Sequence, residues 1–79
     1  MKVVLKLYAT LQNYLPPGTQ GTAAEVEIPA GTTIEDLFKA YNVPLDQVKI
    51  IMVNGRHTDL DYEIQEGDQV AGFPAIAGG

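Results

Sequence analysis

The residues best suited to chemistry come at the end of the sequence, Phe73-Pro74-Ala75-Ile76-Ala77-Gly78-Gly79. No side chain in this stretch is charged, so a reaction there must use the α-carboxylate of Gly79. A free carboxylate is a poor acyl donor because it would have to expel oxide. Joined to AMP it becomes a good one, since a stabilised phosphate departs instead. Gly78 and Gly79 suit that reaction: without Cβ they reach backbone angles closed to other residues, and a narrow channel can close around them. The residues after Pro74 span at most roughly 17 Å when extended, far enough to enter a neighbouring active site. The sequence therefore predicts a domain over residues 1–74 and a flexible Gly-Gly tail over residues 75–79.

Few other groups compete for a chemical role. The chain has no Ser and no Cys, which excludes Ser-His-Asp and Cys-His catalysis, disulfides, zinc fingers and iron–sulfur sites. His57 is its one histidine and cannot form a multi-His zinc site, so its expected role is a partner contact. No metal site is expected. Asp59-Leu60-Asp61-Tyr62-Glu63 starts like an EF-hand loop, but Ile64 stands where the sharp turn needs Gly and Val70 where a bidentate Glu is needed. Gly18-Thr19-Gln20-Gly21 lacks both the spacing and the Lys of a phosphate-binding loop, so the protein itself binds no nucleotide.

Ten acidic against five basic residues give a net charge of -5. That balance argues against nucleic acid and anionic membranes, both of which are bound through clustered Lys and Arg, and it favours basic protein partners. No apolar run reaches the roughly 20 residues that cross a bilayer, and the first strand alternates too early for a signal peptide. A cytoplasmic location is expected. Hydrophobic residues at 46% and charged ones at 19% describe an ordinary folded domain with one core.

The elements that hold out the tail follow from periodicity. Lys2 to Tyr8 alternates, with Val3, Leu5 and Leu7 on one side, as a half-buried strand does. Asn13 to Thr22, rich in Pro and Gly, predicts a loop, and Ala24, Val26 and Ile28 predict an antiparallel second strand. Thr32 with Glu35, or Thr33 with Asp36, offers a capping box. Ile34, Leu37, Phe38 and Tyr41 then make one helical apolar stripe, which Asn42 and Pro44 end. Lys49 to Val53 reads as a central strand, Asn54-Gly55 as a type I′ hairpin turn, and Arg56 to Thr58 as the return. Leu60 to Ile64 predicts a short helical turn, Glu66-Gly67-Asp68 a turn, and Gln69 to Phe73 the last strand.

This order is that of an α+β domain, a mixed sheet with one main helix packed on one face. It resembles the β-grasp, or ubiquitin-like, fold, in which the first and last strands lie parallel at the sheet centre. Tyr8 and Phe73 would then meet at one rim. Over essentially its whole length the sequence also resembles the MoaD/ThiS family of ubiquitin-like sulfur carriers. The matching pieces are Lys2-Val3-Val4-Leu5 with Tyr8-Ala9, the helix from Thr33 to Tyr41, Val53-Asn54, Glu66-Gly67-Asp68-Gln69-Val70, and Phe73 to Gly79. Phe73-Pro74 is similar to the small subunit of molybdopterin synthase, and the Ile-Ala-Gly-Gly ending to the thiamine-pathway carrier. Ala75 departs from the second Pro usual in the molybdopterin type.

The resemblance implies a carrier that is not itself an enzyme and binds no cofactor. A ubiquitin-activating-type adenylating enzyme would use ATP to adenylate Gly79, and sulfur would replace AMP to leave a thiocarboxylate. The sulfur would pass to a pterin precursor in the large subunit of molybdopterin synthase, or to another sulfur acceptor enzyme. Partner contacts are expected from Tyr8, Phe73, Pro74 and Ile76, with Arg56, His57, Asp59, Asp61 and Asp68 as a polar rim. Three alternatives stay open: a thiamine-pathway carrier, a protein modifier conjugated through Gly79, and a plain β-grasp binding module.

Overall fold

In the alternating opening, Lys2–Leu7 (β1) turns Val3, Leu5 and Leu7 inward, each at most 1% exposed. Ala23–Glu27 (β2) pairs antiparallel beside it, with Val3 opposite Val26. The computed structural model describes residues 1–75, so the expectations for Ile76, Gly78, Gly79 and the rest of the tail lie outside the described residues. Gln69–Phe73 (β5), with the bounds read from the sequence, runs parallel to β1 on its other side, Leu5 opposite Val70. Ile50–Val53 (β3) pairs antiparallel to β5, and Arg56–His57 (β4) closes the hairpin. The sheet order is β2-β1-β5-β3-β4, with the first and last strands adjacent as expected.

One helix, Ile34–Ala40 (α1), covers the inner face. Of the two capping boxes on offer, Thr33 and Asp36 form the one that is used: Asp36 N–H donates to Thr33 Oγ1 and Thr33 N–H to Asp36 Oδ2, each at 3.2 Å. Thr32 Oγ1 is occupied elsewhere, donating to Pro29 O at 2.7 Å. Ile34, Leu37 and Phe38 are wholly buried, and Asn42 ends the helix in the left-handed region at φ 61°, an angle Asn tolerates better than most residues. The type I′ turn forms as predicted, with Asn54 and Gly55 at φ 53° and 83°.

Two sequence expectations are corrected. The loop after β1 begins earlier than Asn13, with a 3-10 helix at Ala9–Tyr14 that buries Leu11. The segment Leu60 to Ile64 forms no helix, only a single turn at Leu60-Asp61 closed by Tyr62 N–H donating to Asp59 O at 3.2 Å. Its backbone is drawn out along the helix start: Ile34 N–H donates to Tyr62 O, Glu35 N–H to Leu60 O, and Ile64 N–H to Thr32 O. Groups spent on a neighbouring element are not free for local helical bonds.

Candidate functional site

At the rim where β5 ends, side-chain parity brings two aromatic rings onto the outer face of the sheet. Tyr8 and Phe73 stack with ring centroids 4.5 Å apart and planes 2° from parallel. Such contact adds about 0.5–1.5 kcal/mol beyond area burial. Ile50, opposite Phe73 in register, continues the apolar surface and is 40% exposed. Together with Ala9, Thr10, Pro74 and Ala75 these residues line an open hollow of about 490 Å³. Its floor and walls are almost entirely carbon, and it has room for the apolar side chains of a partner. Sequence reasoning placed Tyr8, Phe73 and Pro74 together, and the fold brings them together.

The backbone explains why the platform sits there. Tyr8 N–H donates to Gly72 O at 3.3 Å, and Lys49 N–H to Phe73 O at 2.8 Å, so β5 is held on both sides up to its last residue. Pro74 has no N–H to continue the ladder, and pairing stops. Just past β1, Ala9 turns the chain out of the sheet at φ 54°, a left-handed angle that is costly for a residue with a Cβ. Strained residues of this kind concentrate at functional rims. Nothing in the sequence around Ala9 announced that angle.

Gly72, just before Phe73, is a second feature that sequence reading missed. A Cβ there would lie 3.2 Å from Leu7 Cδ2 and 3.2 Å from Phe38 Cζ. The helix therefore presses the Phe38 ring directly onto the strand that presents Phe73. The only sequence signal was a glycine inside a strand, which can mark close approach of another group.

The expected polar rim separates into four places, one of them a hollow that Asp59 and Asp61 line with Glu35 and Lys49. His57 lies opposite Met52, and Met52 opposite Ala71, so His57 shares the outer face with the platform. Arg56 lies opposite buried Val53 and therefore on the helix side, and at the edge of the sheet both it and His57 border a second hollow with Asn54 and Tyr62. Asp68 is not on a rim at all: it is 7% exposed. Its Oδ1 accepts from Asn54 Nδ2, and its Oδ2 from Tyr62 OH and Gln65 N–H, all at 2.8 Å. Burial pushes its carboxyl pKa up, but the bonds from Gln65, Asn54 and Tyr62 more than offset this and hold it below the usual carboxylate value. The same bond to Asp68, aided by burial, raises the Tyr62 phenol. This network locks the hairpin turn to the start of β5, since Asn54 Oδ1 also accepts from Gln69 N–H at 2.9 Å.

Among the described residues, no group of three or more His, Cys, Asp or Glu is placed to hold a metal ion, and no helix is long and apolar enough to cross a membrane. The family model of Mut7-C ubiquitin matches residues 1–78. No curated protein matches the chain by sequence. Among solved structures, it is similar to SAMP1, the small archaeal modifier protein 1 of Haloferax volcanii, at TM-score 0.72 and 22% identity over all of both chains. It is also similar to a Pyrococcus furiosus protein assigned as molybdopterin converting factor subunit 1, at TM-score 0.68 and 26% identity over 95% of this chain and 98% of that one. A complex of subunits 1 and 2 of the molybdopterin-converting factor from Helicobacter pylori contains another similar chain, with TM-score 0.62, 15% identity and full coverage of both. These neighbours carry the β-grasp fold, and the family model together with the Pyrococcus likeness bears out the MoaD/ThiS resemblance.

Proposed function

The chain belongs to the Mut7-C ubiquitin family, and on that premise we propose that it is a sulfur carrier acting through Gly79. A ubiquitin-activating-type partner binds the aromatic platform and receives the tail. A carboxylate oxygen of Gly79 attacks the α-phosphorus of ATP and pyrophosphate leaves. A sulfur nucleophile then adds to the acyl carbon, AMP departs with the carbon–oxygen bond, and a thiocarboxylate remains. The acceptor in this reading is the large subunit of molybdopterin synthase, in keeping with the subunit 1 neighbours.

The observation that carries the reading is the Tyr8–Phe73 platform on the last residue of β5, five residues ahead of Gly78-Gly79 in the sequence. A partner seated on those rings has the tail within reach, and the described residues offer no competing metal cluster. Binding energy spent on the platform positions a terminal group with almost no side-chain handle of its own.

The test is the intact mass of the purified chain before and after incubation with ATP, a ubiquitin-activating-type enzyme and sulfide. The first spectrum establishes that Gly79 bears a free carboxylate, which the chemistry requires. A gain equal to sulfur minus oxygen supports the carrier, and an unchanged mass refutes it. A second reading, a protein modifier, draws on the likeness to the Haloferax modifier. It predicts covalent conjugates joined through Gly79 to lysines of other proteins in the same incubation with cell extract.

A further inference from the structure

We propose that Asn54-Gly55 is a site of spontaneous covalent modification, deamidation through a succinimide, which the fold holds back through Asp68 and Gln69 and whose product undoes that hold. The chain has three asparagines, and Asn54 alone precedes a glycine; Tyr14 follows Asn13 and Val43 follows Asn42. A side chain on the following residue shields that residue's own backbone nitrogen, and glycine has none. Asn54 is exposed, and a Cβ on Gly55 would meet nothing within 4 Å, so water reaches the turn from outside.

The reaction needs water and a base to take the proton from Gly55 N–H. Gly55 N then attacks Asn54 Cγ, the Cγ–Nδ2 bond breaks, and Nδ2 leaves as ammonia. Water opens the resulting five-membered ring at Cγ to give isoaspartate's isomer, ordinary aspartate, or at the backbone carbonyl to give isoaspartate, whose main chain is longer by a methylene.

The folded turn opposes ring closure. Asn54 sits in the left-handed region at φ 53°. A residue there, with ψ about +30 to +60°, holds its Cβ nearly anti to the next nitrogen, whereas the ring needs the two eclipsed. Rotation is resisted from three sides: Asn54 Nδ2 donates to Asp68 Oδ1 at 2.8 Å, its Oδ1 accepts from Gln69 N–H at 2.9 Å, and its own N–H donates to Gln69 O at 2.9 Å. The turn must therefore part from the start of β5 before the ring can form.

Once formed, the product keeps it parted. Aspartate puts an oxygen where Nδ2 stood, 2.8 Å from Asp68 Oδ1, with no proton between them. Asp68 is buried and its other oxygen is already taken by Tyr62 and Gln65, so two carboxylates face each other where water screens them poorly. Isoaspartate, with its longer main chain, cannot fit the two-residue turn.

The test follows the full chain at mildly alkaline pH over several weeks by peptide mapping, beside the same chain unfolded in guanidinium. Asn54 is expected to gain the mass of oxygen minus NH, as aspartate and isoaspartate, at least tenfold more slowly folded than unfolded. Asn54→Asp, the product made directly, should lower the thermal midpoint at neutral pH by about 5 °C or more. Adding Asp68→Asn should restore most of that loss, because the exchanged amide again donates across the pair while its oxygen still serves Tyr62 and Gln65. If Asn54→Asp alone does not fold, a cooperative transition regained in the double variant is the same rescue. Deamidation at Asn13 or Asn42 instead, equal rates folded and unfolded, an unchanged midpoint for Asn54→Asp, or no rescue would each overturn the inference.

Discussion

Replacing Asp68 by Asn changes one atom in a buried network, and the hydrogen-bond directions fix the cost. Asp68 Oδ1 must accept from Asn54 Nδ2, while Oδ2 accepts from Tyr62 OH and Gln65 N–H. An Asn can accept on one side only. With its oxygen towards Tyr62 and Gln65, its amide nitrogen confronts that of Asn54. Flipping Asn54 does not help, because Asn54 Oδ1 is already the acceptor for Gln69 N–H. One donor stays unsatisfied in every arrangement, at about 1–3 kcal/mol, and the remaining bonds lose their charge assistance. Allowing for the exposure of Asn54 and Gln65, the expected loss at pH 7 is about 2 kcal/mol, or roughly 8–16 °C in thermal midpoint for a domain of this size.

The pH dependence of that loss is a separate check. The Asp68 carboxyl titrates lower in the folded chain than its ordinary value. Its stabilisation is complete above the ordinary carboxylate pKa of about 3.9 and is lost as pH falls through the lowered folded value. The Asn variant has nothing to titrate at this position. The gap between the two proteins should therefore be full at pH 7 and close at the acid end, as followed by thermal unfolding with circular dichroism from pH 7 down to pH 2.5. A midpoint shift under about 2 °C at pH 7, or a gap unchanged into acid, would refute the reasoning.

Gly72→Ala should cost about 1–3 kcal/mol by overpacking Phe38 and Leu7, and chemical denaturation at an unchanged slope would measure it. Thr33→Ala removes the N-cap oxygen of α1, with an expected loss of about 1 kcal/mol in the same assay. Phe73→Ala should lower folding stability by about 1 kcal/mol through loss of the stack, yet weaken binding of an activating partner by tenfold or more, as measured by calorimetry. Equal effects on folding and binding would make the stack a packing device only.

The alternation in β1, the helical stripe of α1 and the Asn54-Gly55 turn were legible because each signal is local and its period unambiguous. The parallel neighbourhood of β1 and β5 came from the order of elements, and it placed Tyr8 beside Phe73. What sequence could not supply depended on long-range partners. Leu60 to Ile64 looked helical alone, but its backbone groups pair with the start of α1. Asp68 looked like one more surface acid, because its three donors come from positions 3, 6 and 14 residues away. Arg56 and His57 are adjacent in sequence, and strand alternation itself sends them to opposite faces.

The central claim is tested most directly by locating the sulfur. The chain is incubated with ATP, the activating enzyme and sulfide, cleaved, and its peptides sequenced by tandem mass spectrometry. The account predicts that the peptide containing Phe73 to Gly79 carries one sulfur in place of oxygen, assigned to the Gly79 carboxyl, and that a chain lacking Gly79 gains none. Sulfur on any other residue, or equal loading without Gly79, would contradict it.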